Sequence, residues 1–368
     1  MLILETAQRV NPRDARAPYY LGNFWYAHRC YDDAISCWEQ SRELDPNFPT
    51  VQRNLGLAYF NKSSDPRKAL ACFEAAFMLN PVDARVFFEL DQLYKQLKLA
   101  PGVRLEKLQQ HLDLLEQRDD LTIEYVSLLN LLDRPDEAYQ CLMRRNFHPW
   151  EGGEGKVTGQ YVTSLVQIAR RLIASGEAQK AVEVLRQAQA YPHNLGEGKL
   201  YGAQENNIFY YLGCAYEKLG KSENARPCFE RAASGLSEPS SAMFYNDQPP
   251  DMIFYQGLAH LKLKQAAQAH EIFARLVDYG RAHLNDEIKL DYFAVSLPDF
   301  LVFDVDLSQR NRLHCHYMQG LGYLGLENLA TAQEHFGAAL ALDPSHTGAS
   351  LHQRLARPLG PPDSDSRL

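Results

Sequence analysis

Two carboxylates three positions apart, Glu151 and Glu154, lie in the stretch Phe147-His148-Pro149-Trp150-Glu151-Gly152-Gly153-Glu154-Gly155-Lys156, beside an imidazole and an indole. Paired carboxyl groups are the apparatus of glycoside hydrolysis, one as acid and the other as base or nucleophile. An indole face stacks on the C–H side of a sugar ring. Three glycines and a proline exclude a helix here, since glycine raises the entropic cost and proline removes a donor. The stretch is therefore expected to be a loop. Its Gly-Glu-Gly-Lys core returns in Tyr191-Pro192-His193-Asn194-Leu195-Gly196-Glu197-Gly198-Lys199, again with Pro beside His.

Two elaborated loops sharing a core predict a site. Glu151 and Glu154 are its candidate catalytic residues, and His148, Trp150, Asn194, Glu197, Tyr201, Glu205 and Asn206 its candidate ligand-binding residues. Two later stretches add Tyr245, Asn246, Asp247 and Gln248, then Asp299. Aromatic faces with planar amides and carboxylates suit a carbohydrate. The competing reading is that Asp, Asn and Glu in these loops cap helices and satisfy turn amides.

Other constellations are weaker. His314-Cys315-His316 has the composition of a metal cluster, but residues two apart on a helix diverge and no further Cys or His is spaced to complete a tetrahedron. Core or capping roles are expected for them. Gly153-Glu154-Gly155-Lys156 lacks the spacing and the preceding strand of a phosphate loop. No metal and no cofactor is expected.

The elements that must position these loops repeat. Prolines after Asn or Asp recur at Pro12, Pro46 and Pro81, and Pro344 closes a matching unit. Between them fall Leu21-Gly22, Trp25, Ala34 and Trp38, then Leu55-Gly56, Tyr59, Ala69, Phe73 and Ala76. The pattern returns at Leu212-Gly213, Tyr216, Ala225, Phe229 and Ala232, at Gly257, Ala269 and Phe273, and at Gly320, Tyr323, Ala332, Phe336 and Ala339. Small residues let two helices touch, and bulky ones on the same face fill the groove. These residues resemble tetratricopeptide repeats. The resemblance implies an all-α fold, a right-handed α-α superhelix of about eight helical hairpins, each covering the apolar face of the last.

The expected organisation is the second helix of an incomplete repeat over 1–12, repeats one to three over 13–118, and repeats four to eight over 119–346. An extension over 347–368 follows, expected to be mobile from about 357. The stripe Leu105, Leu108, Leu112, Leu115 within an irregular stretch is expected to be core. Loops over 146–160, 189–207, 235–251 and 277–312 all join one hairpin to the next, so they should collect along one edge. A chain that opens in mid-repeat is expected to be the C-terminal part of a longer protein.

In chaperone-binding tetratricopeptide proteins a basic and Asn clamp on successive first helices grips a C-terminal carboxylate. Asn23, Asn54 and Arg85 fall at such positions here, but Tyr19 and Glu89 stand where lysine and arginine belong. A peptide-binding groove is therefore an alternative reading.

The stretches at Phe147–Lys156, 194–206, 245–257 and 291–299, with His314-Cys315, resemble a bacterial family in which a domain of unknown function, galactose-mutarotase-like, precedes the repeats. That resemblance implies an upstream domain as partner and tilts the ligand towards carbohydrate.

Net charge of −8 argues against nucleic acid or an anionic membrane as partner, since both need a basic face. Seven scattered cysteines, none in a C-x-x-C pair, read as reduced thiols of a cytoplasmic protein. The expected function is an interaction scaffold whose loop edge binds a partner domain and a carbohydrate. Alternatives are a glycosidase-type centre at Glu151 and Glu154, and peptide capture in the groove.

Overall fold

The structure is a computed structural model describing residue 6 and residues 9–150, 152–241, 248–288 and 302–356. Glu151, Tyr245, Asn246, Asp247 and Asp299, most of the incomplete first repeat and the tail from 357 lie outside the described residues. Among the described residues all regular elements are helices. None is long and apolar enough to cross a membrane.

The chain forms two compact units. Unit 1 comprises Met1–Leu99, Glu106–Leu121 and Leu301–Val305; unit 2 comprises Ala100–Leu105, Thr122–Phe300 and Asp306–Leu368. In unit 1 the helices α1 (Arg16–Ala27) and α2 (Tyr31–Leu44) pair as a hairpin, followed by α3 (Pro49–Asn61) with α4 (Pro66–Leu79), and α5 (Ala84–Gln96). The short α6 (Pro101–Gln109) and α7 (Leu112–Leu115) follow, then α8 (Asp119–Leu131) and α9 (Pro135–Met143). Unit 2 continues with the hairpins α10 (Lys156–Ala174) and α11 (Ala178–Ala188), α12 (Asn206–Lys218) and α13 (Ser222–Ala232), α14 (Pro250–Lys262) and α15 (Ala266–His283), and α16 (Leu307–Gly325) and α17 (Leu329–Leu342). The last helix is α18 (Thr347–Leu355).

One contact holds each regular hairpin shut. The glycine of the first helix lies against the aromatic ring of the second: Gly22 on Trp38, Gly56 on Phe73, Gly213 on Phe229, Gly257 on Phe273, Gly320 on Phe336. A Cβ at any of these glycines would fall under 3.0 Å from ring atoms. The rings are buried, and dispersion and apolar burial there bind the two helices.

Each of the four expected loops ends before its expected limit, those over 189–207 and 235–251 because α12 begins at Asn206 and α14 at Pro250. The loop expected over 146–160 ends at Gly155, because Val157 and Tyr161 bury and draw α10 back to Lys156. The loop expected over 277–312 is shorter at both ends. Helix α15 runs on to His283 because Val277 and Gly280 pack on α16, where Gly280 meets the Cys315 carbonyl closely. In the leucine stripe, Leu105, Leu108 and Leu115 are core, but Leu112 is exposed because the helical phase is broken between α6 and α7.

Unit 2 curls until its last helix meets its first. The fully buried Arg104 donates to Glu124 on α8 (3.1 Å) and to the Ser345 hydroxyl ahead of α18 (2.9 Å). Arg354 on α18 donates to the Leu131 carbonyl at 3.0 Å. Tyr255, Tyr317 and His352 fill the interior, with the Tyr317 hydroxyl 3.2 Å from His352 Nδ1.

Candidate functional site

The two Gly-Glu-Gly-Lys loops lie side by side in unit 2. Phe147 N–H donates to the Asn194 carbonyl at 2.7 Å, and Asn194 Nδ2 donates to the carbonyls of Leu142 (3.0 Å) and Arg145 (2.8 Å). Both Glu197 oxygens accept the Gly155 N–H at 3.1 Å, and one accepts the Thr158 hydroxyl at 3.2 Å. A carboxylate there neutralises free amides at the start of α10 and suits the positive end of its dipole. Gly196, at φ 77°, must be glycine, since a Cβ would strike the Phe147 carbonyl.

The other candidates divide between structural bonds and solvent. Asn206 Nδ2 donates to the carbonyls of Ala232 and Ser234, each at 2.8 Å. Glu205 pairs with Lys199 at 2.5 Å. Gln248 is buried with neither amide atom bonded. Trp150 is half-buried over Gly153, His148 and Glu154 face solvent, and Tyr201 is fully exposed. Farther along, Gln256 donates to the Leu236 carbonyl (2.8 Å) and His314 Nε2 meets the Ser240 carbonyl at 2.8 Å. His316 turns instead to His335, 3.1 Å away, and Cys315 is buried, so the three residues of the His-Cys-His run go separate ways.

In unit 1 the clamp positions bond one another. Asn23 Oδ1 accepts from Trp38 Nε1 (3.1 Å) and Asn54 Nδ2 (3.2 Å). Glu89 accepts two bonds from Arg53, both 2.6 Å, and one from Arg85 at 3.0 Å. The charge reversal at Glu89 thus consumes the arginines that would hold a carboxylate.

A cavity of about 490 Å³ in unit 2 was not foreseen. Its walls come from α10, α12, the end of α14 and α18. Five cations line it, Arg170, Arg171, Lys218, Lys262 and Arg354, against two anions, Asp133 and Glu217. Arg171 bridges Asp133 (3.0 Å) and Asp136 (3.1 Å), and Lys262 pairs with Glu217 at 3.0 Å. Arg170 makes no salt bridge among the described residues, although the charge of nearby Asp133 acts on it; its guanidinium lies 5.8 Å from the Tyr211 ring centre. Beside it the buried Gln167 Oε1 accepts no bond. Leu351, Leu355, Ile173 and Cys214 make the rest apolar, and burial pushes the Cys214 thiol up to about 11, leaving no thiolate at neutral pH.

The signal that would have found it is periodic. Arg171, Lys218 and Lys262 each occupy the last turn of a first helix. That placement also complements the helix dipole, so the residue types alone do not mark a site.

Residues 207–234, the hairpin α12–α13, match the tetratricopeptide repeat family model. Among solved structures the chain is similar to one in the Naa15/Naa10 complex bound to HypK-THB, at 10% identity, covering 96% of this chain and 62% of that chain, with TM-score 0.42. It thus spans about three fifths of that chain's length. It is also similar to a tetratricopeptide repeat protein from Parabacteroides merdae (15% identity, 70% and 89% covered, TM-score 0.34). A third is the TPR2AB domain of yeast Sti1 in complex with pHSP90 (15% identity, 71% and 88% covered, TM-score 0.32). The described residues form an all-α array of stacked helical hairpins, one of which matches the tetratricopeptide repeat.

Proposed function

We propose that the chain is a protein-interaction scaffold and that the cavity of unit 2 receives an acidic group of a partner polypeptide. The observation that carries this reading is Arg170, a guanidinium on an aromatic face lining the cavity, with no salt bridge of its own among the described residues. A carboxylate entering there gains a charge-assisted bond, and Gln167 Oε1 can accept a backbone N–H of the same peptide. Leucines of α18 would cover neighbouring apolar side chains.

Fluorescence anisotropy with a labelled peptide of alternating Leu and Asp tests it. The unmodified chain is expected to bind saturably, and Arg170→Ala to weaken binding about 30-fold, from the ~2 kcal/mol lost with one partner of a buried charge pair. Equal binding by Arg170→Ala, or no saturation up to about 1 mM peptide, refutes the reading.

A second reading places a carbohydrate on the loop edge. The joining of the 147–155 and 193–199 loops, with Trp150 in the first and the exposed Tyr201 two residues beyond the second, favours it. Glycan-array binding lost in Trp150→Ala and Tyr201→Ala would support it. Turnover of a glycoside lost in Glu151→Gln or Glu154→Gln would make the edge catalytic, and turnover retained in both would remove them as acid and base.

A further inference from the structure

In unit 1 the groove between α3 and α4 is filled by a tripeptide from far along the chain, Val302-Phe303-Asp304. Phe303 is 2% exposed, wedged edge-on against Phe60 (4.9 Å between centroids) and Phe73 (5.6 Å). Asn61, at the end of α3, reads the tripeptide backbone in both directions. Its Nδ2 donates to the Val302 carbonyl at 3.1 Å, and its Oδ1 accepts the Asp304 N–H at 2.9 Å. Lys62 pairs with the Asp304 carboxylate at 3.0 Å.

We infer that this groove is a recognition site for a short apolar–Phe–Asp segment, and that a partner protein presenting such a segment can occupy it in place of residues 302–304. Each part of the tripeptide is recognised by a different chemistry. The amide fixes the backbone register, the two rings select an aromatic at the middle position, and the ammonium selects a carboxylate at the third. Nothing in this set depends on the segment belonging to the same chain: the contacts span 241 to 243 residues of sequence and involve only three consecutive residues. The apolar burial of one phenylalanine, with a paired amide and an ion pair, is the composition of a short linear-motif site.

The test uses the full chain and fluorescent acetyl-Leu-Val-Phe-Asp-Val-amide. In Phe303→Ala/Asp304→Ala the groove is emptied, and the peptide is expected to bind at least about tenfold more tightly than to the unmodified chain, whose own copy competes. Adding Asn61→Ala should abolish that binding. Absence of binding to the emptied groove with helicity retained, or binding indifferent to Asn61→Ala, overturns the proposal. A second variant guards against a folding failure. Lys62→Glu is expected to bind a peptide with Lys in place of Asp while the unmodified chain does not; equal binding by both overturns it. Displacement of the peptide by added unmodified chain, only where light scattering shows a dimer, would give the groove to a second copy and overturn the partner assignment.

Discussion

Acidification should weaken unit 2 through one histidine. His352 is 3% exposed in the interior of the unit, and its Nδ1 lies 2.8 Å from the Gly348 carbonyl. A carbonyl only accepts, so the proton sits on Nδ1, and Nε2 is left as a buried acceptor with no donor. Protonating Nε2 would create a buried cation with no acceptor at that nitrogen; desolvation, only partly offset by the bond to Gly348 and reinforced by the positive Arg170, holds the imidazole down to about 4. The unfolded chain takes up this proton near pH 6.5 and the folded chain does not, so stability is complete above that value and falls as pH drops towards 4. Integrating the two titrations gives a loss of about 2 kcal/mol between pH 7 and pH 5.

Asp251 opposes this. Desolvation raises its carboxyl to about 6, so the folded chain keeps a proton that the unfolded chain has released, and stability from this group falls as pH rises from about 4 to about 6. Urea unfolding followed by circular dichroism at pH 7 and pH 5 separates the two. His352→Gln should lose the acid penalty, and Asp251→Asn should deepen it. If His352→Gln and the unmodified chain weaken in parallel on acidification, the argument from the unbonded Nε2 is refuted.

Two further outcomes follow from the repeats. Gly213→Ala drives a methyl into the Phe229 ring and should cost about 1–3 kcal/mol by urea unfolding, with the loss reduced when Phe229→Leu makes room. An unchanged midpoint would show that the hairpin opens freely to admit the methyl. Glu89→Leu leaves the half-buried Arg53 and the exposed Arg85 without their carboxylate and should cost about 1–2 kcal/mol in thermal unfolding, whereas a gain in stability would mean the apolar side chain replaces the buried carboxylate well.

The hairpins were legible residue by residue. Gly22 with Trp38, Gly56 with Phe73 and Gly213 with Phe229 are contacts inside a single hairpin, between residues sixteen or seventeen apart. The polar residues between the hairpins were not legible by role, and Asn206, expected in a loop, opens α12. Asn194 and Asn206 spend their amides on carbonyls at the ends of neighbouring helices, and Glu197 on the start of α10. Polar side chains that cap and polar side chains that bind are the same types, and only the direction of each bond separates them.

By itself, then, the order of residues determined the helical hairpins, because the touching of two helices joined by a tight turn is a local matter written in small and aromatic residues at fixed spacing. Tertiary structure alone decided that Arg170 would face α18 across a cavity, and that Phe303 would lie between Phe60 and Phe73. Such meetings join residues far apart along the chain, so no spacing within a single repeat records them.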